Sequence, residues 1–196
     1  MIYFDESDIV TSMEDILMIF IGGIHGVGKS FFCEHVRTVL FIETHSASGL
    51  IAKQKMSSFS SDKLIPDIDD NQQYLLTAIN DLNSSGKQYL LDGHFCLLNG
   101  RGRVTRIPEE TFYLLRPEAI VLLTEKPEII AERRKQRDDR SFNLNELEKF
   151  QEEEITFASE IAKTLEIPLL VSSGVDDLDR TVDFLRENIG RKNDGG

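Results

Sequence analysis

The run from Gly23 to Ser30 limits what this chain can fold into more than any other part of its sequence. It reads Gly-Ile-His-Gly-Val-Gly-Lys-Ser and matches the phosphate-binding pattern G-x-x-x-x-G-K-[ST] at every fixed position. The apolar residues 16–21 precede it, and an amphipathic pattern that begins at Lys29 or Ser30 follows it. The motif therefore predicts a strand, a phosphate loop and a helix in succession. The alternative is a glycine-rich turn with a structural role alone.

Each part of this loop has a chemical task in phosphate binding. Glycines let backbone N–H groups curl around phosphate oxygens, and the helix that follows adds its positive end. Lys29 is expected to reach the β- and γ-phosphates, and the Ser30 hydroxyl is expected to bind Mg²⁺. The predicted nucleotide-binding residues here are Gly23, Ile24, His25, Gly26, Val27, Gly28, Lys29, Ser30 and Phe31.

The loop contains one histidine, His25, and the helix predicted after it contains one cysteine, Cys33. His25 either contacts a phosphate or, as the preferred interpretation, has no chemical role. Cys33 lies among apolar residues of the following helix, so it is predicted to pack in the core.

Short apolar runs alternate with helical patterns along the chain. The runs are residues 16–21, 39–42, 89–91, 119–123 and 169–171. Continuous apolar runs are typical of strands buried on both faces of a parallel sheet. The helical patterns cover residues 48–55, 69–83, 127–137 and 144–165, and a last apolar stripe runs from Val175 to Ile189. The alternation predicts an α/β fold with right-handed crossovers.

The helix predicted near residues 144–165 has the clearest signature. Asn143 can cap its start, and Glu146 occupies the capping-box position. Apolar residues then recur at helical spacing, with one polar break at Glu154. The first helix is expected to bury Phe32, Val36 and Val39.

Length and charge exclude several classes of protein. The 196 residues suit one domain, predicted over residues 15–190, with an N-terminal extension at 1–14 and a frayed tail at 191–196. The formal net charge of −12 argues against a protein that coats nucleic acid. The longest apolar run, residues 16–24, falls far short of the ~20 residues that a membrane span needs. Two cysteines are too few for a disulfide scaffold, so a cytoplasmic location is expected.

A second functional element follows the apolar run at residues 89–91. Asp92 ends this run, and ligands of open α/β sheets bind beyond the carboxyl ends of strands. Asp92 is therefore predicted to face the Mg²⁺–phosphate site, directly or through water. The alternative is a turn or capping aspartate. His94 either orients water or substrate, or donates a hydrogen bond to the backbone.

Two groups of arginines are candidates for anion contacts. Arg101, Arg103 and Arg106 cluster in a predicted basic hairpin, which is either an anion contact or a solvated loop. Residues 132–140 hold four more arginines at a predicted helix end. Arg133 and Arg137 share one helix face and could meet the charge on a transferred phosphoryl group. The alternative is a solvated helix end whose cations complement the helix dipole.

Together these motifs resemble a known family. The loop, the step Asp92-x-His94 and the pattern Glu132-Arg133-x-x-x-Arg137 are similar to small adenylate kinase-like proteins, both archaeal-type adenylate kinases and eukaryotic nuclear adenylate kinase-like ATPases. The resemblance spans about residues 15–189. It implies a P-loop nucleoside-monophosphate-kinase fold: a five-stranded parallel sheet flanked by helices. It also implies a monophosphate-binding segment at 44–68 and a lid at 133–143.

The resemblance further implies a reaction and a set of catalytic residues. Mg²⁺ and ATP would serve transfer of the γ-phosphoryl group to a nucleoside monophosphate such as AMP, and some members of the family hydrolyse ATP. The implied catalytic residues are Lys29, Asp92, Arg133 and Arg137, with Mg²⁺ at Ser30 and Asp92. Arg133 would also lie near the base or phosphates of ATP, and Arg137 over the transferred group. Ser172, Ser173 and Gly174 would lie near adenine.

The sequence departs from the family where the acceptor should bind. Such kinases commonly use an arginine in the monophosphate segment, whereas residues 44–88 contain only the cations Lys53, Lys55, Lys63 and Lys87. Lysine pairs with phosphate but lacks the two-pronged geometry of arginine. Arg101, Arg103 or Arg106 could substitute. The alternatives on the same scaffold are a P-loop ATPase, a kinase of another small phosphate acceptor, or a nucleotide-binding regulatory protein.

Overall fold

The computed structural model describes residues 18–58, 68–139 and 141–190. Its strands are, in chain order, β1 Met18–Gly22, β2 Glu43–Ser46, β3 Tyr89–Asp92, β4 Cys96–Leu98, β5 Val104–Arg106, β6 Ala119–Leu123 and β7 Leu169–Ser172. Its α-helices are α1 Lys29–Leu40, α2 Ala47–Ser58, α3 Ile68–Asn83, α4 Glu109–Leu115, α5 Pro127–Asp138, α6 Leu144–Thr164 and α7 Leu178–Gly190. A 3₁₀ helix, Gly174–Asp177, precedes α7. The proposed N-terminal extension and tail lie outside the described residues, as do Lys63 and Arg140.

Five of the strands form one parallel sheet in the order β2-β3-β1-β6-β7. Strand β1 lies at the centre, with Ile21 opposite Asp92 of β3 and Val121 of β6. All carboxyl ends therefore meet at one edge. This confirms the predicted α/β fold with a five-stranded parallel sheet flanked by helices. Strands β4 and β5 form a separate antiparallel hairpin.

Both faces of the sheet are buried because its side chains alternate between two cores. Met18 and Phe20 of β1 face a core shared with α3, α4, α5 and α6. Ile19 and Ile21 face a second core shared with α1 and α7. Cys33 lies buried in the second core, as predicted. Within the described chain, no helix is long and apolar enough to cross a membrane.

The second predicted strand, at residues 39–42, is wrong. Helix α1 continues to Leu40, and Phe41 then turns the chain in a left-handed conformation with φ of 53°. Strand β2 begins only at Glu43 and is a half-exposed edge strand. It therefore lacks the apolar run that marks a central strand. Val39, expected to be buried by α1, is an exposed side chain.

Helix α4 was not predicted, since no element was assigned between the basic hairpin and the apolar run at residues 119–123. Its start carries ordinary signals, because Pro108 precedes two glutamates in the first turn. The helix is only seven residues long, which is too short to show a clear helical period in the sequence.

The cap predicted for the long helix is confirmed. The Asn143 Oδ1 atom accepts hydrogen bonds from the N–H groups of Asn145 (2.9 Å) and Glu146 (3.4 Å). The face that α6 buries includes Leu147 and Phe150, together with Glu154, which is 1% exposed. A carboxylate in that position needs partners inside the protein.

Removing the cap should weaken this helix measurably. Asn143→Ala is expected to lower the free energy of unfolding by about 1 kcal/mol, because two N–H groups lose their acceptor. For a domain of this size that corresponds to a fall of about 2–4 °C in Tm. Asn145→Ala, an exposed change in the same helical turn, is the control and should leave Tm unchanged or slightly raised. Equal losses in both variants would contradict the capping role.

Candidate active site

The predicted phosphate loop connects β1 to α1 and depends on its glycines. Gly23, Gly26 and Gly28 have φ of 138°, 90° and 113°, a region that favours glycine. A Cβ atom on Gly23 would lie 2.7 Å from the backbone oxygen of Leu123. At Gly26, a Cβ atom would lie 2.8 Å from Cγ of Arg134. The loop is therefore both bent and closely packed, and side chains at these two positions would displace it.

Lys29 begins α1 and is 8% exposed. Its Nζ atom donates a hydrogen bond to the backbone oxygen of Gly23 and lies 3.5 Å from Nδ1 of His94. Burial lowers the pKa of Lys29 to about 8, while Asp92 and Glu154 act to raise it. The lysine thus remains largely charged at pH 7 and is bonded to the first residue of its own loop.

Asp92 ends β3 directly beside the strand that leads into the loop. It is paired in register with Ile21 on one side and with Ser46 of β2 on the other. The next N–H group, that of Gly93, donates to the backbone oxygen of Ile21 (3.0 Å). Burial raises the pKa of Asp92, and Lys29 opposes that rise. The strand therefore brings this carboxyl to the same sheet edge as the loop, where the sequence analysis placed it.

Two histidine rings from different segments meet beside Lys29. The ring of His25, in the loop, lies 4.1 Å from the ring of His94 between centroids. Burial, together with the charges of Lys29 and His25, lowers the pKa of His94 to about 2. His94 is therefore a neutral imidazole at pH 7. His25 is one of the predicted nucleotide-binding residues, although no chemical role was preferred for it, and its ring contacts that of His94.

Glu154 is the residue that the sequence analysis missed. It projects from the middle of α6 and accepts hydrogen bonds from the N–H groups of Gly23 (3.2 Å), Phe95 (2.9 Å) and Cys96 (2.6 Å). Its carboxylate thus joins the start of the loop to the segment that follows His94. The one signal in the sequence was a charged residue on an otherwise apolar helix face.

A cavity of about 360 Å³ opens beside the loop, between α1 and the carboxyl ends of β6 and β7. Its walls are mostly apolar, with one ion pair, and are formed by Val27, Gly28, Phe31, Phe32, Leu123, Glu125, Arg133, Gly174 and Leu178. Phe31 is 62% exposed, which is unusual for a phenylalanine next to a cavity.

Arg133 connects this cavity to the loop. Its Nη1 atom donates to the backbone oxygens of Val27 (2.9 Å) and Gly26 (3.4 Å). Its Nη2 atom pairs with Oε2 of Glu125 at 3.2 Å. The arginine is therefore positioned between the loop and the cavity.

The other arginines of the predicted lid have different surroundings. Arg137 is exposed and binds both carboxylate oxygens of Asp138, at 2.7 and 2.9 Å. Arg134 is buried, with its guanidinium carbon 3.8 Å from the centroid of the Phe142 ring. Most of the predicted lid, up to Asp138, is helical and belongs to α5. Arg140 lies outside the described residues.

The resemblance places Ser172, Ser173 and Gly174 near adenine, and Gly174 lines the cavity. Ser172 is buried and accepts a hydrogen bond from the hydroxyl of Thr181 on α7 (2.8 Å). Ser173 donates from its N–H and hydroxyl to Oδ2 of Asp177 in the 3₁₀ helix. Neither serine is among the residues that line the cavity.

Several cations that the sequence offered as acceptor contacts are bonded elsewhere. Arg106 pairs with Glu153 (2.6 Å) and Glu160 (2.5 Å) on α6. Lys87 pairs with Glu43 at the amino end of β2 (2.8 Å), opposite to the loop edge. Lys55 lies 5.9 Å over the ring of Tyr74, and Lys53 is exposed on α2. Arg101 and Arg103 have exposed side chains, and their backbone N–H groups donate to Oδ1 of Asn99.

Known proteins share this fold. The model of the AAA domain family (AAA_17) matches residues 22–151. A structure of shikimate kinase from Acinetobacter baumannii in complex with shikimate is 14% identical, with a TM-score of 0.54, covering 92% of this chain and 97% of that chain. A gluconokinase from Sinorhizobium meliloti 1021 is 17% identical, with a TM-score of 0.50, covering 89% of this chain and 92% of that chain. No curated protein matches the sequence.

These comparisons support the predicted resemblance at the level of the fold. Both solved structures are kinases, and at such identities the likeness concerns the fold alone. The adenylate kinase-like acceptor stays a prediction.

The buried imidazole of His94 should make stability depend on pH. In the unfolded chain the pKa of this histidine is near its usual value of 6.5, whereas in the folded chain its pKa is lowered to about 2. Lowering the pH from 7 to 5 should therefore reduce the free energy of unfolding by about 1–2 kcal/mol through this residue. Urea unfolding of His94→Asn should show a correspondingly weaker loss over that range.

The matched control is His35→Asn, a histidine of α1 outside the site, which should keep the wild-type pH dependence. The same slope in the wild type and in His94→Asn would contradict the interpretation.

Proposed function

Because the chain belongs to the AAA domain family, we propose that it is an ATP-dependent phosphotransferase that passes the γ-phosphoryl group to a small acceptor. One observation carries this proposal. The loop with Lys29, the cavity beside Arg133 and the carboxyl of Asp92 all lie at the carboxyl edge of one parallel sheet. This edge is where ligands of open α/β sheets bind.

The donor nucleotide would lie across the loop and the cavity. Backbone N–H groups of residues 23–30 and the positive end of α1 would hold its phosphates. The cavity has the volume and the apolar lining that suit a nucleotide base. Phe31 and Arg133 offer an aromatic face and a planar cation for stacking.

The residues present also fit Mg²⁺. Ser30 offers a hydroxyl at the start of α1, and Asp92 offers a carboxylate at the end of β3. Proteins usually hold Mg²⁺ with one or two such groups together with substrate phosphates, so no larger cluster of ligands is needed. When bound, the ion would neutralise phosphate charge. Lys29 would then leave the oxygen of Gly23 for the β- and γ-phosphates.

The acceptor side favours the hydroxyl of a small metabolite. At its carboxyl end β3 presents Asp92 and, two residues on, the neutral imidazole of His94. A carboxylate and a neutral ring suit a hydroxyl better than the negative charge of a phosphate monoester. Arg106, one candidate for such a phosphate, is already paired with two carboxylates.

A nucleoside monophosphate such as AMP is the second candidate acceptor. Arg101 and Arg103 favour it, because they are exposed on the hairpin that follows His94. Two further activities are possible on this scaffold. One is ATP hydrolysis without an acceptor, and the other is slow turnover in a nucleotide-binding regulatory protein. The protein is proposed to act in the cytoplasm on small molecules, with no nucleic acid as partner.

Product analysis separates these activities. Purified protein is incubated with Mg²⁺–ATP alone, with each nucleoside monophosphate, and with a panel of small polyols and hydroxy acids. Release of ADP without phosphate in the presence of an acceptor indicates transfer, whereas ADP and phosphate in equal amounts indicate hydrolysis.

Lys29→Met should lower kcat at least about 10²–10³-fold in whichever reaction occurs, because the transition-state charge loses its cation. Lys149→Met, an exposed change on α6, should leave kcat unchanged. Near-wild-type turnover by folded Lys29→Met would refute the role of the loop.

The two arginines of one helix face should differ in their kinetic roles. Arg133→Ala should raise KM for ATP and also lower kcat, because Arg133 lies at both the loop and the cavity. Arg137→Ala should lower kcat about 10²–10³-fold with a smaller change in KM, if this exposed arginine exchanges Asp138 for the transferred group. Arg186→Ala, an exposed arginine of α7, is the control. Wild-type kcat in Arg137→Ala would assign that arginine to a solvated helix end.

A further inference from the structure

Glu154 is a buried carboxylate that the proposed reaction does not yet use. It lies on α6, 131 residues along the chain from Gly23, and is 1% exposed. Its Oε1 atom accepts from the N–H groups of Gly23 and Phe95, and its Oε2 atom accepts from that of Cys96. Three N–H donors converging on one carboxylate form a site built for a negative charge.

The apolar packing of α6 does not itself require a charge at this position. The same face of the helix carries Phe150, Phe157 and Ala158, all buried. Burying a carboxylate there costs free energy that its hydrogen bonds must offset. What the carboxylate adds is a link between three segments that are distant in sequence: the loop, the segment after β3 and α6.

This link reaches Lys29 through a single residue, Gly23. The N–H of Gly23 donates to Glu154, and the carbonyl oxygen of the same residue accepts a hydrogen bond from Nζ of Lys29. The bonds to Phe95 and Cys96 fix the chain directly after His94, whose ring lies 3.5 Å from the same Nζ atom. Glu154 therefore holds two backbone segments next to Lys29: the start of the loop and the segment after His94.

We propose that Glu154 is a positioning residue for phosphoryl transfer, which holds the backbone of Gly23 and the segment after His94 so that Lys29 meets the transferred group. The proposal rests on the function proposed above. Displacing a catalytic group by about 1 Å can cost about 10²-fold in rate. The loss of this positioning contact should therefore have a measurable effect on kcat.

The hydrogen bonds of Glu154 give the proposal a readout besides activity. Its carboxylate accepts from the backbone N–H groups of Gly23 at 3.2 Å and of Phe95 at 2.9 Å. A buried N–H group held in this way exchanges its hydrogen with solvent only when the structure opens locally. Without the carboxylate, the N–H of Gly23 should therefore exchange faster.

The test compares Glu154→Gln with Glu153→Gln, a change at the neighbouring, partly exposed residue that pairs with Arg106. Amide hydrogen exchange at Gly23, followed by NMR on ¹⁵N-labelled protein, reports whether Glu154 still holds the loop. In Glu154→Gln this exchange should become about 10-fold faster. Its kcat should fall about 10- to 100-fold, with a smaller change in KM for ATP. Glu153→Gln should match the wild type in all three measurements.

A folded Glu154→Gln protein with wild-type kcat and unchanged exchange of the Gly23 amide would overturn the proposal and leave Glu154 a packing residue. If Glu154→Gln does not fold by circular dichroism, Glu154→Asp replaces it, because it keeps the charge but moves the oxygens away from the three N–H groups. A lower kcat in folded Glu154→Asp then supports the proposal, and wild-type kcat overturns it. If the wild-type protein transfers no phosphoryl group, the proposed function fails. Exchange of the Gly23 amide then still decides whether Glu154 holds the loop.

Discussion

The parallel pairing of β1 between β3 and β6 determines where every part of the candidate site lies. Both faces of β1 are buried, so a shift of one residue would move its apolar side chains to the wrong cores. With the register set, Asp92 stands beside Ile21, and the loop leaves β1 at the same edge. The cavity occupies this edge on the side of β6 and β7. The geometry of the candidate site therefore depends on the fixed register of the strands.

The backbone of Gly23 connects the buried charges of the candidate site. Its N–H donates to Glu154 and its carbonyl oxygen accepts from Lys29, so this one residue lies between a buried anion and a buried cation. Asp92 adds a second carboxylate nearby. A lone buried charge would be costly, and this group of one ammonium and two carboxylates offsets much of that cost by mutual attraction and backbone hydrogen bonds. Lys29 is thereby held in place beside the loop.

Folding gives chemically similar arginines different roles. Arg106 is neutralised by two glutamates of α6, and Arg134 stacks on Phe142 beneath the loop. Arg133 bonds to the loop itself, and Arg137 stays at the surface with Asp138. For Arg106 and Arg133 the partners lie 47 and 106 residues away in the chain, whereas Arg137 is bound by its neighbour. Arg133 is therefore the main candidate contact for the proposed donor nucleotide, and the proposed acceptor side has few free cations among the described residues.

Local patterns in the sequence determined the features that depend on backbone conformation and side-chain period. The glycines of the loop, the central strands buried on both faces and the cap at Asn143 could all be predicted, because each is set by neighbouring residues. The edge strand β2 could not, since a half-exposed strand needs no apolar run. Tertiary structure alone decided the role of Glu154. A charged residue within an apolar stripe indicates that a partner must exist, but only folding brings Gly23, 131 residues away, within reach of its carboxylate.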